Sequence, residues 1–135
     1  MKVMIDNGAV IPKRAHATDA GLDLCCMEDI TVHPHGFVKV RTGVHIEIPD
    51  GCVGLLTSKS GLMAKGLTCR GTIDCGYTGE IFPVLFNHSD EPIEFKKGDK
   101  VTQIVILPCL FPKMEWVTEF EETERGESGF GSTGV

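Results

Sequence analysis

Five short segments of this 135-residue chain carry residue types that can grip an anion or activate water. In Ala20-Gly21-Leu22-Asp23-Leu24 a carboxylate sits between two leucines on an apparent strand, so Asp23 faces away from both. Such a carboxylate is either simply solvated or holds a water of a magnesium ion, which prefers oxygen ligands and keeps its own waters. Ser58-Lys59-Ser60-Gly61-Leu62 leads into a short helix. N–H groups at a helix start suit a phosphate, the more so beside Lys59, although a serine there is also an ordinary cap. Gly71-Thr72-Ile73-Asp74-Cys75-Gly76-Tyr77-Thr78-Gly79-Glu80 places Asp74 at a hairpin bend flanked by glycines. There an aspartate caps its own turn, or orients and deprotonates a water, while Tyr77 can pack against a ring. Lys97-Gly98-Asp99-Lys100-Val101-Thr102-Gln103 is a turn entering an apolar strand, where the Gln103 amide needs a partner. From Arg125 onward a glycine-rich tail reads either as a frayed terminus or as a flap over a nucleotide. Arg125, Phe130, Ser132 and Thr133 would supply that flap with a cation, a stacking ring and two hydroxyls.

The elements that must position these groups are strands. Val38 to Arg41, Val44 to Ile48 and Ile93 to Lys96 alternate apolar and polar residues, the pattern of half-buried strands. Val101 to Leu107 and Ile81 to Phe86 are more continuously apolar, which predicts strands covered on both faces. Turns such as Pro49-Asp50-Gly51 and His33-Pro34-His35-Gly36 fall between them at short intervals. The expectation is an all-β, antiparallel barrel or jelly roll with one short helix around Gly61 to Lys65. Residues 1–118 form the barrel domain and residues 119–135 a flexible C-terminal arm.

Composition excludes several classes. A net charge of −6 argues against a general nucleic-acid surface, and no apolar run is long enough to span a membrane. No Walker-type phosphate loop is present, and the histidines lack metal-ligand spacing; His33 and His35 belong to an exposed turn. The cysteines contain no C-x-x-C pair and read as small hydrophobes in a reducing, cytoplasmic compartment. Of the adjacent Cys25 and Cys26, at most one need be buried.

Taken in order, the five segments resemble the five signature motifs of the trimeric dUTPase family, across residues 17 to 134. Gly-Thr-Ile-Asp-x-Gly-Tyr-x-Gly-Glu and Arg-Gly-x-x-Gly-Phe-Gly-Ser-Thr-Gly are the most specific stretches. The resemblance implies a distorted jelly-roll subunit, a homotrimer with sites built from several chains, and hydrolysis of dUTP to dUMP and pyrophosphate. That reaction limits uracil in DNA and supplies dUMP for thymidylate synthesis. It implies that Asp23 holds a water of a magnesium ion and that Lys59, Ser60, Gly61 and Gln103 cradle the phosphates. Asp74 activates the attacking water. The bend from Thr72 through Ile73 and Asp74 to Tyr77 reads uracil and deoxyribose, with Phe82 beside it. Arg125, Ser132 and Thr133 close on the γ-phosphate while Phe130 stacks on the base. Two positions depart from the family pattern. Lys59 stands where arginine is common, and Thr68-Cys69-Arg70 stands where many relatives carry a uracil-contacting asparagine. A protein-binding module on the same fold and a dCTP deaminase are the alternatives.

Overall fold

The computed structural model describes residues 1–129. The strands are β1 (Val3–Ile5), β2 (Gly21–Cys25), β3 (Ile30–Val32), β4 (Phe37–Lys39), β5 (Val44–Ile46), β6 (Cys52–Thr57), β7 (Leu67–Ile73), β8 (Val84–Asn87), β9 (Ile93–Phe95) and β10 (Lys100–Pro108). The one helix among the described residues, α1, spans Ser60–Met63. Six strands pair in the order β2-β10-β6-β7-β8-β4, while β1 pairs β5 and β3 pairs β9, all antiparallel. This is the expected all-β, jelly-roll architecture.

Period-two burial holds where it was read. Val44, Ile46 and Ile48 point inward while His45 and Glu47 do not, and Val40 is buried between exposed Lys39 and Arg41. The inward set joins Leu24, Leu56, Leu67, Ile81, Leu85 and Ile104 in one core. Each fully buried side chain of this size contributes about 1.5–3 kcal/mol. His33 and His35 are exposed, and all six cysteines are free.

Three expectations need correction. The segment from Ile81 to Phe86 is not covered on both faces: pairing begins only at Val84, and burial alternates to leave Phe86 exposed. Cys25 and Cys26 are both buried: β2 is covered on both faces from Gly21 to Cys25, so burial does not alternate along it, and Cys26 follows into the core. The helix starts one residue earlier than expected, with Lys59 extended at its N-cap and no side-chain cap. Ser58 instead bridges to β7, accepting from the Cys69 N–H at 2.8 Å and donating to the Cys69 carbonyl at 3.3 Å.

Beyond Pro108, the described residues to 129 form no strand or helix. Leu110, Met114, Trp116 and Phe120 there are each at least 90% exposed. No described helix is long and apolar enough to cross a membrane.

Candidate functional site

Central placement of β10 gathers the first, second and fourth segments. Its Gln103 opposes Asp23 on β2 and Thr57 on β6, so the residues after Thr57 emerge beside Asp23. Asp23 is buried, not solvated. Lys59 bonds one carboxylate oxygen, and Lys100 pairs with the other at 2.7 Å. The Gln103 amide lies over Gly21, where a Cβ would collide with its head group, and donates to the Ser58 carbonyl at 3.4 Å. Gly21 is therefore required by close approach rather than by a turn. An open cleft of about 410 Å³ results, lined by Lys59, Ser60, Gly61, Leu62, Lys65, Lys100 and Gln103. Three ammonium groups against the single Asp23 carboxylate leave the cleft net positive, and with the first N–H groups of α1, which have no intrahelical acceptor, it suits an anion.

Lys65 and Lys100 were missed in the sequence. Lys100 belongs to the turn entering β10, but only the β2–β10 pairing brings it to Asp23.

The third segment builds a second cleft of about 310 Å³, lined by Lys39, Thr72, Ile73, Asp74, Tyr77, Glu80 and Phe82. Asp74 follows the last residue of β7, and the Tyr77 N–H donates to its carbonyl at 3.0 Å, closing the bend. The Asp74 carboxylate is exposed and has no hydrogen-bond partner among the described residues. It does not cap its turn. The Tyr77 hydroxyl donates to the Glu80 carbonyl at 2.8 Å, and its ring lies over Gly79. Phe82 carries the Lys39 ammonium 4.0 Å from its ring centre. In the sequence Lys39 belongs to an alternating strand and carries no chemical signal.

The stretch standing in for asparagine divides cleanly. Thr68 Oγ1 meets His88 Nε2 at 2.8 Å and Cys69 is in the core. Arg70 is exposed with no side-chain partner among the described residues, on the β7 face shared with Thr72.

The two clefts share no lining residue. Ile73 opposes Gly54, and Arg70 opposes Thr57, so Asp74 and Lys59 leave opposite ends of the β6–β7 pair. The strand between those ends spans about 10–13 Å at roughly 3.3 Å per residue. Arg125 joins neither cleft. Its Nε donates to the Ser128 carbonyl at 3.1 Å, within its own segment. Phe130, Ser132 and Thr133 lie outside the described residues.

Electrostatics favour charged carboxylates in both places. Burial pushes the Asp23 carboxyl up, but Lys100 and Lys59 together hold it below its ordinary value. Burial likewise opposes Glu80, and the Gly43 N–H, Arg41 and the Thr42 N–H outweigh it. A carboxyl lowered on folding contributes stability above its unfolded value, and loses it as pH falls through the folded one. The urea midpoint should therefore stay level from neutral pH down to about 5 and fall below about 4. Asp23→Asn should flatten that fall. A wild-type midpoint unchanged down to about pH 3 would contradict it.

Among the described residues no three His, Cys, Asp or Glu side chains converge as a metal cage. The Asp23 carboxylate beside the lysine cleft fits a magnesium ion that keeps most of its waters and is shared with phosphates.

The family model for dUTPase matches residues 7–134. A deoxyuridine 5'-triphosphate nucleotidohydrolase of Clostridium novyi (strain NT) is 43% identical, with 100% of each chain covered. Another, of Nocardia farcinica (strain IFM 10152), is 42% identical over 96% of this chain and 82% of its own. The solved Staphylococcus bacteriophage 80alpha dUTPase with dUPNHPP has a TM-score of 0.91 at 34% identity, covering 99% of this chain and 98% of that one. A mutant dUTPase from phage phi11 of S. aureus, described with a structural Mg(II) ion, has a TM-score of 0.81 at 31% identity, covering 90% and 98%.

Proposed function

The chain belongs to the dUTPase family, and from that premise we propose that it hydrolyses dUTP to dUMP and pyrophosphate through a water activated by Asp74. The observation carrying this reading is the exposed Asp74 carboxylate, unbonded among the described residues, on a bend whose backbone is closed, in one cleft with Tyr77 and Phe82. A carboxylate without a competing partner can orient a water and take its proton as the water attacks the α-phosphorus. Main-chain groups from Thr72 to Tyr77 pair with the uracil edge, and cytosine would leave them unpaired. The Tyr77 ring packs on the deoxyribose where a ribose hydroxyl would clash.

Phosphates lie in the lysine cleft. Lys59, Ser60, Gly61 and Gln103 hold them there, with Lys100 and Lys65 adding charge. Asp23 would hold a magnesium ion through a water, and bound magnesium would neutralise phosphate charge. With magnesium beside Asp23, Lys59 and Lys100 would be released from that carboxylate for the phosphates. Arg125, Ser132 and Thr133 close on the γ-phosphate, and Phe130 stacks on the base.

The two clefts share no lining residue and lie at opposite ends of the β6–β7 pair, so a homotrimer whose sites take the Asp74 cleft from one copy and the lysine cleft from another fits this arrangement. The exposed Leu110, Met114, Trp116 and Phe120 support the same assembly, since monomers rarely leave so much apolar surface bare. The relatives' activity favours neither a deaminase nor a pure binding module.

The test is pyrophosphate release from dUTP with magnesium and after its removal by chelation, with dCTP, dTTP and UTP as controls. Release confined to dUTP and lost on chelation is expected. Ammonia release, or equal turnover of dCTP, would overturn the reading. Within the cradle, Lys59→Ala should lower kcat/KM about 100-fold. Lys59→Arg should keep most activity, since the charge remains and a bidentate fork is gained. A fully active alanine variant would remove Lys59 from the phosphate site.

A further inference from the structure

The segment carrying Asp74 and Tyr77 contains no helix or strand of its own, yet it is pinned at several points. The Glu80 side chain is only 11% exposed. Its Oε1 accepts from the Gly43 N–H at 2.8 Å and the Thr42 N–H at 3.2 Å. Its Oε2 accepts from Arg41 Nη2 at 3.2 Å, and the same Arg41 nitrogen reaches Asp6 at 3.2 Å. Thr42 Oγ1 donates to the Ile81 carbonyl at 2.6 Å, and the Ile81 N–H donates to the Val44 carbonyl at 2.8 Å. His45 Nδ1 meets the Thr78 carbonyl at 3.1 Å. Onto this anchored end the Tyr77 hydroxyl donates, at the Glu80 main-chain carbonyl. The ring is seated on Gly79, where a Cβ would lie 2.5 Å from the tyrosine oxygen.

We infer that Glu80, clamped by Arg41 and the Thr42–Gly43 backbone, is a positioning residue that sets discrimination between deoxyribose and ribose by fixing the Tyr77 ring. The inference rests on the proposed reading of Tyr77 as the sugar contact. Glu80 borders the cleft, but its carboxylate oxygens are bonded to Arg41 and the Thr42–Gly43 backbone rather than offered to the sugar. Its carboxylate holds one end of the loop against the β4–β5 connection, and the Tyr77 hydroxyl transmits that hold to the ring. A ring free to swing by an ångström would admit a 2′-hydroxyl, so loosening the clamp should cost selectivity before chemistry.

The experiment compares kcat and KM for dUTP and UTP, together with thermal midpoints, in wild type, Glu80→Gln, Glu80→Asp, Arg41→Gln, Tyr77→Phe and Tyr77→Ala. Glu80→Gln is nearly isosteric but removes the charge that Arg41 and two N–H groups converge on. Its dUTP-over-UTP ratio in kcat/KM should fall about tenfold, mainly through KM. Tyr77→Phe, which keeps the ring but loses its tether, should show a similar fall. Glu80→Asp should restore part of the ratio. If Glu80→Gln folds poorly, Arg41→Gln breaks the same clamp from a half-exposed residue and should give the same loss. An unchanged ratio in folded Glu80→Gln and Arg41→Gln, with Tyr77→Ala losing it, would overturn the positioning role alone. So would an activity loss that is equal for both substrates and parallels the midpoint. A wild type without preference for dUTP would overturn the reading of Tyr77 beneath it.

Discussion

Asp74→Asn should fold like wild type and lose nearly all pyrophosphate release from dUTP. The side chain is exposed and bonded to nothing among the described residues, so the substitution breaks no contact. The turn is closed by main-chain atoms, through the Tyr77 N–H and the Asp74 carbonyl, and survives it. What disappears is a proton acceptor. An amide has nearly the same shape but cannot take a proton from water, and removing a general base costs about 10²–10⁴-fold in kcat. The loss should fall on kcat, with dUTP binding largely retained because the lysine cleft and the Thr72–Tyr77 backbone are untouched. Steady-state kinetics beside a binding isotherm for a non-hydrolysable analogue check this. A variant with more than a tenth of wild-type kcat would remove Asp74 from the chemistry.

Truncation before Arg125 should spare the fold and cripple catalysis by about 100-fold. The described part of that segment, Arg125 to Gly129, bonds among the described residues only to itself and to Thr123, so removing it takes no described contact from the core. The urea midpoint should therefore match that of the full chain. Lost with the segment are Arg125 and the Phe130, Ser132 and Thr133 side chains assigned to the γ-phosphate and the base. A held triphosphate reacts faster than a loosely docked one, because attack needs the water and the phosphorus in line. KM should rise with the fall in kcat. Unfolding of the truncated chain would contradict the separation of arm and barrel, and full activity would contradict its role in closure.

These two cases mark what was readable in the sequence. Asp74, Tyr77 and Lys59 stood out because glycines, a bend and a charge sit within a few residues of each other, and local chemistry is written locally. The strands around Val44 and Ile93 were legible for the same reason, since alternation is a local period. Lys100 against Asp23 was not, because 77 residues separate them and only the β2–β10 pairing joins them. The Arg41–Glu80 clamp was hidden likewise by its separation of 39 residues. Burial of both Cys25 and Cys26 follows from β2 being covered on both faces, which is set by packing from distant segments and not by a pattern within β2. Pairing partners are chosen by tertiary packing, so the anchors of a site are harder to read than its reactive groups.

The most direct test of the account is turnover of dUTP in heavy-oxygen water, followed by mass analysis of both products. Attack of an Asp74-activated water on the α-phosphorus places the label in dUMP and leaves pyrophosphate unlabelled. Label in pyrophosphate would mean that water attacks the β-phosphorus, and the assignment of Asp74 and the two clefts would have to be abandoned.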